Sequence, residues 1–461
     1  MNLICYELNE VPWRIVDLYV KLKPHSHLAA ILENSCQLTT RTQDSGDLHP
    51  WTTWPTVHRG VYNDIHNIRF INQDIVTPYR PIWELLAKEG YRVGVFGSLQ
   101  SWPIPDHLPF CFYIPDTFAR DAQTYPQDLE VFQEFNLEQT QRDGAIAGRV
   151  RIVQQVPTLL RLVARGLRLT TVLRLGCHLV GEKLYPDYRT FRSILQAPVS
   201  FDFYWRLLNQ HKPDFSTFFT NHVAGMMHRY WMYLFPEDFG YSLKTPRDCF
   251  LAQNIVRAMD IADQHIGRLK RFCDDTRYTL LIAGSMGQKA IQLADYCGEL
   301  RIKDPDKFIA KLGFAGRVKS FMAMQPDFTF RCDTAETLEE FKGDALSLKN
   351  EKGESLFGCS ISGLTIGLYL GGYSRQVIES QTLYREGSRL SIHVYGIDCI
   401  YRDQGTAYHE PDGIAIFYGQ GIRVSDQRQK IASIQLLPTL LRAYQVPLGE
   451  YMAQPVETVL N

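Results

Sequence analysis

PIWELLAKEGYRVGVFGSLQSWP, residues 81–103, is the stretch whose reading decides the fold. Its first half has helical spacing and ends near Gly90. YRVGVFG follows as a strand that is apolar on both faces. A helix feeding a strand buried on both sides is the unit from which parallel sheets are built. The pattern returns at NIVRAMDIADQHIGRLKRFCDDTRYTLLIAG (254–284), a long amphipathic helix followed by the strand YTLLIAG. LICYEL (3–8) reads as a first buried strand. The junction Asn9-Glu10-Val11-Pro12 and the helical RIVDLYVKLK come after it. DFSTFFTN (214–221) and GIAIFYG (413–419) add further strands, and SIQLLPTLLRAYQV (433–446) a closing helix. The expectation is an α/β fold, a mostly parallel sheet flanked by helices. Two insertions interrupt it, a helical one at 120–210 and a mixed one at 300–400. The expected division is therefore 1–119, 211–299 and 401–461 for the core, with the insertions forming a cap.

Composition narrows the function. Of 461 residues, 45% are hydrophobic and 21% charged, the balance of a folded soluble chain rather than a disordered or fibrous one. Lys plus Arg is 49 against 50 for Asp plus Glu. The formal charge of -1 supplies no net field for a nucleic-acid duplex. Ten cysteines are scattered without a C-x-x-C pair, which reads as a reducing, cytoplasmic setting. MNLICYELNEV lacks the basic start of a secretory signal, and no run of about 20 apolar residues offers a membrane span.

Three segments carry a more specific signal. WTTWPTVHRG (51–60) runs into VYNDIHNI (61–68), GTAYHEPDGIAIFYGQGI spans 405–422, and LLPTLL spans 436–441. In this order they resemble the alkaline phosphatase superfamily, and more narrowly its nucleotide pyrophosphatase/phosphodiesterase branch. T-[FW]-P-[NST], G-x-Y-x-x-x-H-x-I, H-x-P-x-G-I and a closing P-T-L-L helix occur there. The resemblance implies an alkaline-phosphatase-like sheet and phosphoryl or sulfuryl transfer at a bimetal site.

Carried over residue by residue, it makes Thr53 the nucleophile; the alternative is that Thr52, Thr53 and Thr56 only cap the helix. Glu7, at the end of the first strand, takes the place of a ligand Asp, with Glu10 and Asn9 as substitutes. The segment after DFSTFFT supplies His222 and His228, six positions apart. Six helical steps turn about 600°, so these two side chains meet only if His222 stays in the turn before the helix. His409 becomes the third imidazole. The Asp-His pair for the second metal is missing, since Ala283 and Gly284 stand there. Arg59, His58 and the amide of Gln288 are candidates for an anionic substrate, His66 for a structural role, and Trp51 and Trp54 for core packing first and a pocket wall second. Arg161, Arg165 and Arg168 on the helical insertion form either a solvated basic face, the reading that carries more weight, or a surface that meets phosphate or an anionic layer.

The resulting expectation is a metal-dependent phosphoesterase- or phosphodiesterase-like hydrolase, or a related group-transfer enzyme. Its reduced site would hold one divalent ion, Zn2+ first and iron or manganese next. The substrate would be a small-molecule phosphate or sulfate ester. The rival readings are a catalytically degenerate binding or scaffold protein and a repurposed metal-dependent biosynthetic enzyme.

Overall fold

In the computed structural model, which describes residues 1–71, 73–143, 152–292, 299–321, 328–370, 375–400 and 405–459, LICYEL forms the central strand β1 (Leu3–Leu8). Strand residues alternate between faces. Leu3 and Cys5 join one apolar core, and Ile4, Tyr6 and Leu8 join the other. Both faces are therefore buried, as a run without polar alternation demands.

The remaining strands of the sheet are β2 (Ser35–Arg41), β3 (Val93–Phe96), β4 (Phe110–Ile114), β5 (Phe215–Thr220), β6 (Thr279–Ala283), β7 (Asp412–Tyr418) and β8 (Ser425–Ala432). Their order is β8-β2-β7-β6-β1-β5-β3-β4. β1 runs parallel to β5 and β6, β3 to β4 and β5, and β8 to β2. Only β7 runs against its neighbours β2 and β6. The sheet is thus mostly parallel with helices on both faces. The residues that follow β1, β5 and β6 and the residue that begins β7 all lie at one edge, where α/β folds build their sites.

Three helices matter for that edge: α1 (Pro50–Arg59), α2 (His222–Leu234) and α3 (Asn254–Thr276). Proline at the first position of α1 gives up an amide that has no helical partner. Gly60 ends the helix at φ 67°, in left-handed backbone. A short ladder, Gly287–Ala290 against Ala407–Glu410, sets Gln288 directly opposite His409.

The chain divides into two units. Residues 1–66, 77–292 and 405–459 make the first, among the described residues. The helical stretch from 120 belongs to it, and Phe132, Leu162, Phe191 and Phe201 share the core of β1. The second unit takes 67–76 and the described part of 293–404. It has a four-stranded antiparallel sheet and an aromatic core of Phe308, Phe330 and Phe341. Cys297 and residues 401–403, the end of the expected strand LSIHVYGIDCIYRD, lie outside the described residues. Among the described residues no helix is long and apolar enough to cross a membrane.

Candidate functional site

At the carboxyl edge of β1, Glu10 has φ 60°. A side chain with a Cβ pays about 1–2 kcal/mol for left-handed backbone, so the surrounding structure holds it there. This turn sends a carboxylate that is only 2% exposed toward two imidazoles. Glu10 Oε2 lies 3.1 Å from His228 Nε2 and 3.3 Å from His409 Nε2. One ligand atom from each of the three residues falls within 4.8 Å of the others.

The far side of each ring fixes what the near side offers. His228 Nδ1 donates to the Ala407 carbonyl at 2.9 Å, and His409 Nδ1 donates to the Leu48 carbonyl. A carbonyl only accepts, so both Nδ1 atoms carry protons. In the neutral rings both Nε2 atoms then present lone pairs to a carboxylate. Three such donors need a shared positive charge, either a metal ion or protons. Without a metal the charge is protonic. Burial alone would raise the Glu10 pKa, but the charge of His409 and the hydrogen bonds of both rings hold it well below the carboxylate range. Burial opposes protonation of His228, and Glu10 outweighs it, so His228 is pushed up.

A second layer holds the carboxylate. Asn9 Nδ2 donates to Glu10 Oε1 at 2.8 Å and to Asn221 Oδ1 at 2.7 Å, while Trp54 Nε1 donates to Asn9 Oδ1 at 2.8 Å. Gln288 Nε2 donates to Glu10 Oε2 and, at 3.3 Å, to the Ala224 carbonyl. His49 packs edge-on to His409 at 5.9 Å and flat on Trp51 at 4.3 Å. Burial and the His409 charge push His49 down to about 4.

The structure brings His228 and His409 together and leaves His222 and Glu7 out of their group. α2 begins at His222 itself, so the helical phase turns its ring away from His228. His222 Nε2 donates to the Ala258 carbonyl of α3 at 3.1 Å. Glu7 lies on the same face of β1 as Cys5 and points into the core. It pairs there with His58 Nε2 at 2.7 Å, and the two side chains are 0% and 4% exposed. Glu10, on the loop beyond the pleat, escapes that parity. The same pair takes His58 from the expected anion contact, wedging its ring between Trp54 and Trp83. Arg59 is also buried, and its Nη1 donates to the Tyr79 carbonyl. Gln288 is at the site, with its amide nitrogen turned to Glu10 and its Oε1 buried without a partner.

Thr53 is fully buried. Its hydroxyl lies 2.8 Å from Ser285 Oγ and 3.2 Å from the His49 carbonyl, and Thr52 also donates to that carbonyl at 2.8 Å. His66 meets the Thr56 hydroxyl at 3.1 Å, and Thr56 donates to Asp44, which also accepts from the Asn63 amide. This network braces the turn after α1. The Glu10 carboxylate was within reach of sequence reasoning as a substitute ligand. Its left-handed backbone carries no sequence signal in a non-glycine residue.

No protein-family model and no curated protein matches the chain. Among solved structures it is similar to murine ectonucleotide pyrophosphatase/phosphodiesterase 5, at 10% identity and TM-score 0.48, over 98% of each chain. The human form is similar at 9% identity and TM-score 0.46, over 98% of this chain and 97% of that one. Phosphonoacetate hydrolase from Sinorhizobium meliloti 1021 is similar at 11% identity and TM-score 0.40, over 95% and 94%.

Proposed function

We propose that the chain is a metal-dependent phosphoesterase- or phosphodiesterase-like hydrolase, or a related phosphoryl- or sulfuryl-transfer enzyme, with one divalent ion held by Glu10, His228 and His409. The supporting observation is the pair of Nε2 atoms aimed at one carboxylate oxygen while both Nδ1 protons are committed to backbone carbonyls. Two oriented imidazoles and a carboxylate form a donor set that suits Zn2+, with iron or manganese as alternatives. When bound, such an ion polarises an ester oxygen and lowers the pKa of a bound water.

The chain's own groups have separable tasks in this reading. Ala407 and Leu48 hold the ring planes. Asn9 and Gln288 hold the carboxylate. Approach is from the side of His228, whose side chain is 31% exposed against 6% for His409. Thr53 keeps the role of nucleophile or of the group that orients a water, and its burial means that a substrate reaches it only after local opening. A small-molecule phosphate or sulfate ester is the substrate class. A cytoplasmic location is part of the proposal, supported by nine cysteines outside any disulfide among the described residues, two of them exposed.

The test pairs metal analysis of the purified chain with turnover of a nitrophenyl phosphodiester. About one ion per chain, with turnover abolished in Glu10→Gln, supports the proposal. A folded protein that binds no divalent metal overturns it. Turnover that survives Thr53→Ala removes Thr53 from the reaction. One observation favours a binding or scaffold protein instead: the Thr53 hydroxyl is enclosed and already hydrogen-bonded. Metal binding without turnover on any phosphate or sulfate ester would select that reading.

A further inference from the structure

The helix Leu169–Leu184 turns an apolar stripe to solvent. Leu169, Leu173, Cys177, Val180 and Leu184 recur at steps of three and four, which puts them on one helical face. The three leucines and Val180 are each between 58% and 69% exposed, and Cys177 is exposed as well. The opposite face carries the buried residues, Thr171 and Glu182. Glu182 is held by Arg192 and by His178, the latter at 2.8 Å. Val172 and Leu175 also pack inward on the core, so the helix has one apolar side in the core and a second one turned to solvent. The preceding helix, Ile152–Ala164, also exposes Leu160, at 65%.

Charge identifies what such a surface meets. Between residues 152 and 181 the sequence has four arginines, Arg161, Arg165, Arg168 and Arg174, and no Asp or Glu. All four are exposed. Two of them have an acidic partner at the limit of an ion pair, Arg161 with Glu134 at 3.8 Å and Arg165 with Asp128 at 3.7 Å, and such exposed pairs are weak. Arg174 donates to the amide oxygen of Gln264. The chain as a whole carries a formal charge of -1, so the attraction is local to this segment. Tyr185, 63% exposed, closes the helix with a ring suited to a headgroup layer.

We propose that these two helices dock on an anionic lipid surface. The Leu169–Leu184 stripe enters the acyl boundary, and the arginines lie among the lipid phosphates. The proposal is independent of the chemistry at Glu10.

The test uses the full chain and sedimentation with vesicles of phosphatidylcholine alone, or mixed with phosphatidylglycerol. The expected result is binding to the mixed vesicles that is about tenfold or more stronger than to the neutral ones. Leu173→Ser with Val180→Ser, and separately Arg161→Glu with Arg174→Glu, should each weaken that binding by about tenfold or more, with unchanged unfolding midpoints because the positions are exposed. Absence of vesicle binding overturns the proposal. So does equal binding to neutral and anionic vesicles, or binding that neither double variant weakens. A dimer that the Leu173/Val180 variant dissolves, without vesicle binding, would assign the stripe to a second copy of the chain and would also overturn it.

Discussion

Replacing His222 with Gln separates a structural histidine from a metal ligand. His222 is 6% exposed at the start of α2, and burial depresses its pKa from 6.5 to about 4. The folded chain takes up this proton only near pH 4, while the unfolded chain takes it up near 6.5. Between these values the unfolded state binds more protons, so stability is full above pH 6.5 and falls with the pH. At about 1.36 kcal/mol per pH unit, the loss approaches about 3 kcal/mol by pH 4. His265, stacked on Phe201 at 4.1 Å, is held well below its ordinary value by burial and by the charge of His222, and acts in the same direction. In His222→Gln the amide can still donate to Ala258, and one titrating group is gone. Urea unfolding from pH 7 to pH 4 should give the variant a shallower loss, a relative gain of about 3 kcal/mol at the acid end. Its bound metal should match the wild type. Identical pH profiles would refute the burial reasoning, and loss of metal in His222→Gln would return this ring to the ligand set.

Glu10→Gln should lower divalent-metal affinity by more than about 100-fold, and Gln288→Ala by about 10–100-fold, the range for a partner that only orients a ligand. Competition with a chromogenic chelator measures both. Gly413→Ala should destabilise by about 1–3 kcal/mol in urea, by overpacking. Its Cβ would meet the Gly284 carbonyl at 2.5 Å and the Thr40 hydroxyl at 2.8 Å, where β7 crosses the end of β6. An unchanged midpoint would mean that this crossing is loose.

The strands were legible because a sheet buried on both faces leaves continuous apolar runs, as in LICYEL and TLLIA. The helix–strand unit at 81–97 was legible because Gly90 stops the helix, in left-handed backbone at φ 86°. His228 and His409 were named from the family resemblance, and the structure sets their rings 5.1 Å apart. Glu7 drew attention as a strand-end carboxylate, although its parity with Cys5 already directs it into the core.

By itself, the sequence determined the alternation of strands and helices, the near-neutral charge and the supply of imidazoles and carboxylates near strand ends. Burial pattern and residue chemistry are local properties, and these follow from them. Tertiary structure decided which of those groups meet. The positive φ of Glu10, the start of α2 at His222 and the carbonyls of Leu48 and Ala407 come from segments distant along the chain. Convergence of Nε2 atoms on one oxygen depends on how those segments pack, because a hydrogen bond is set by position and direction in space and not by separation along the chain.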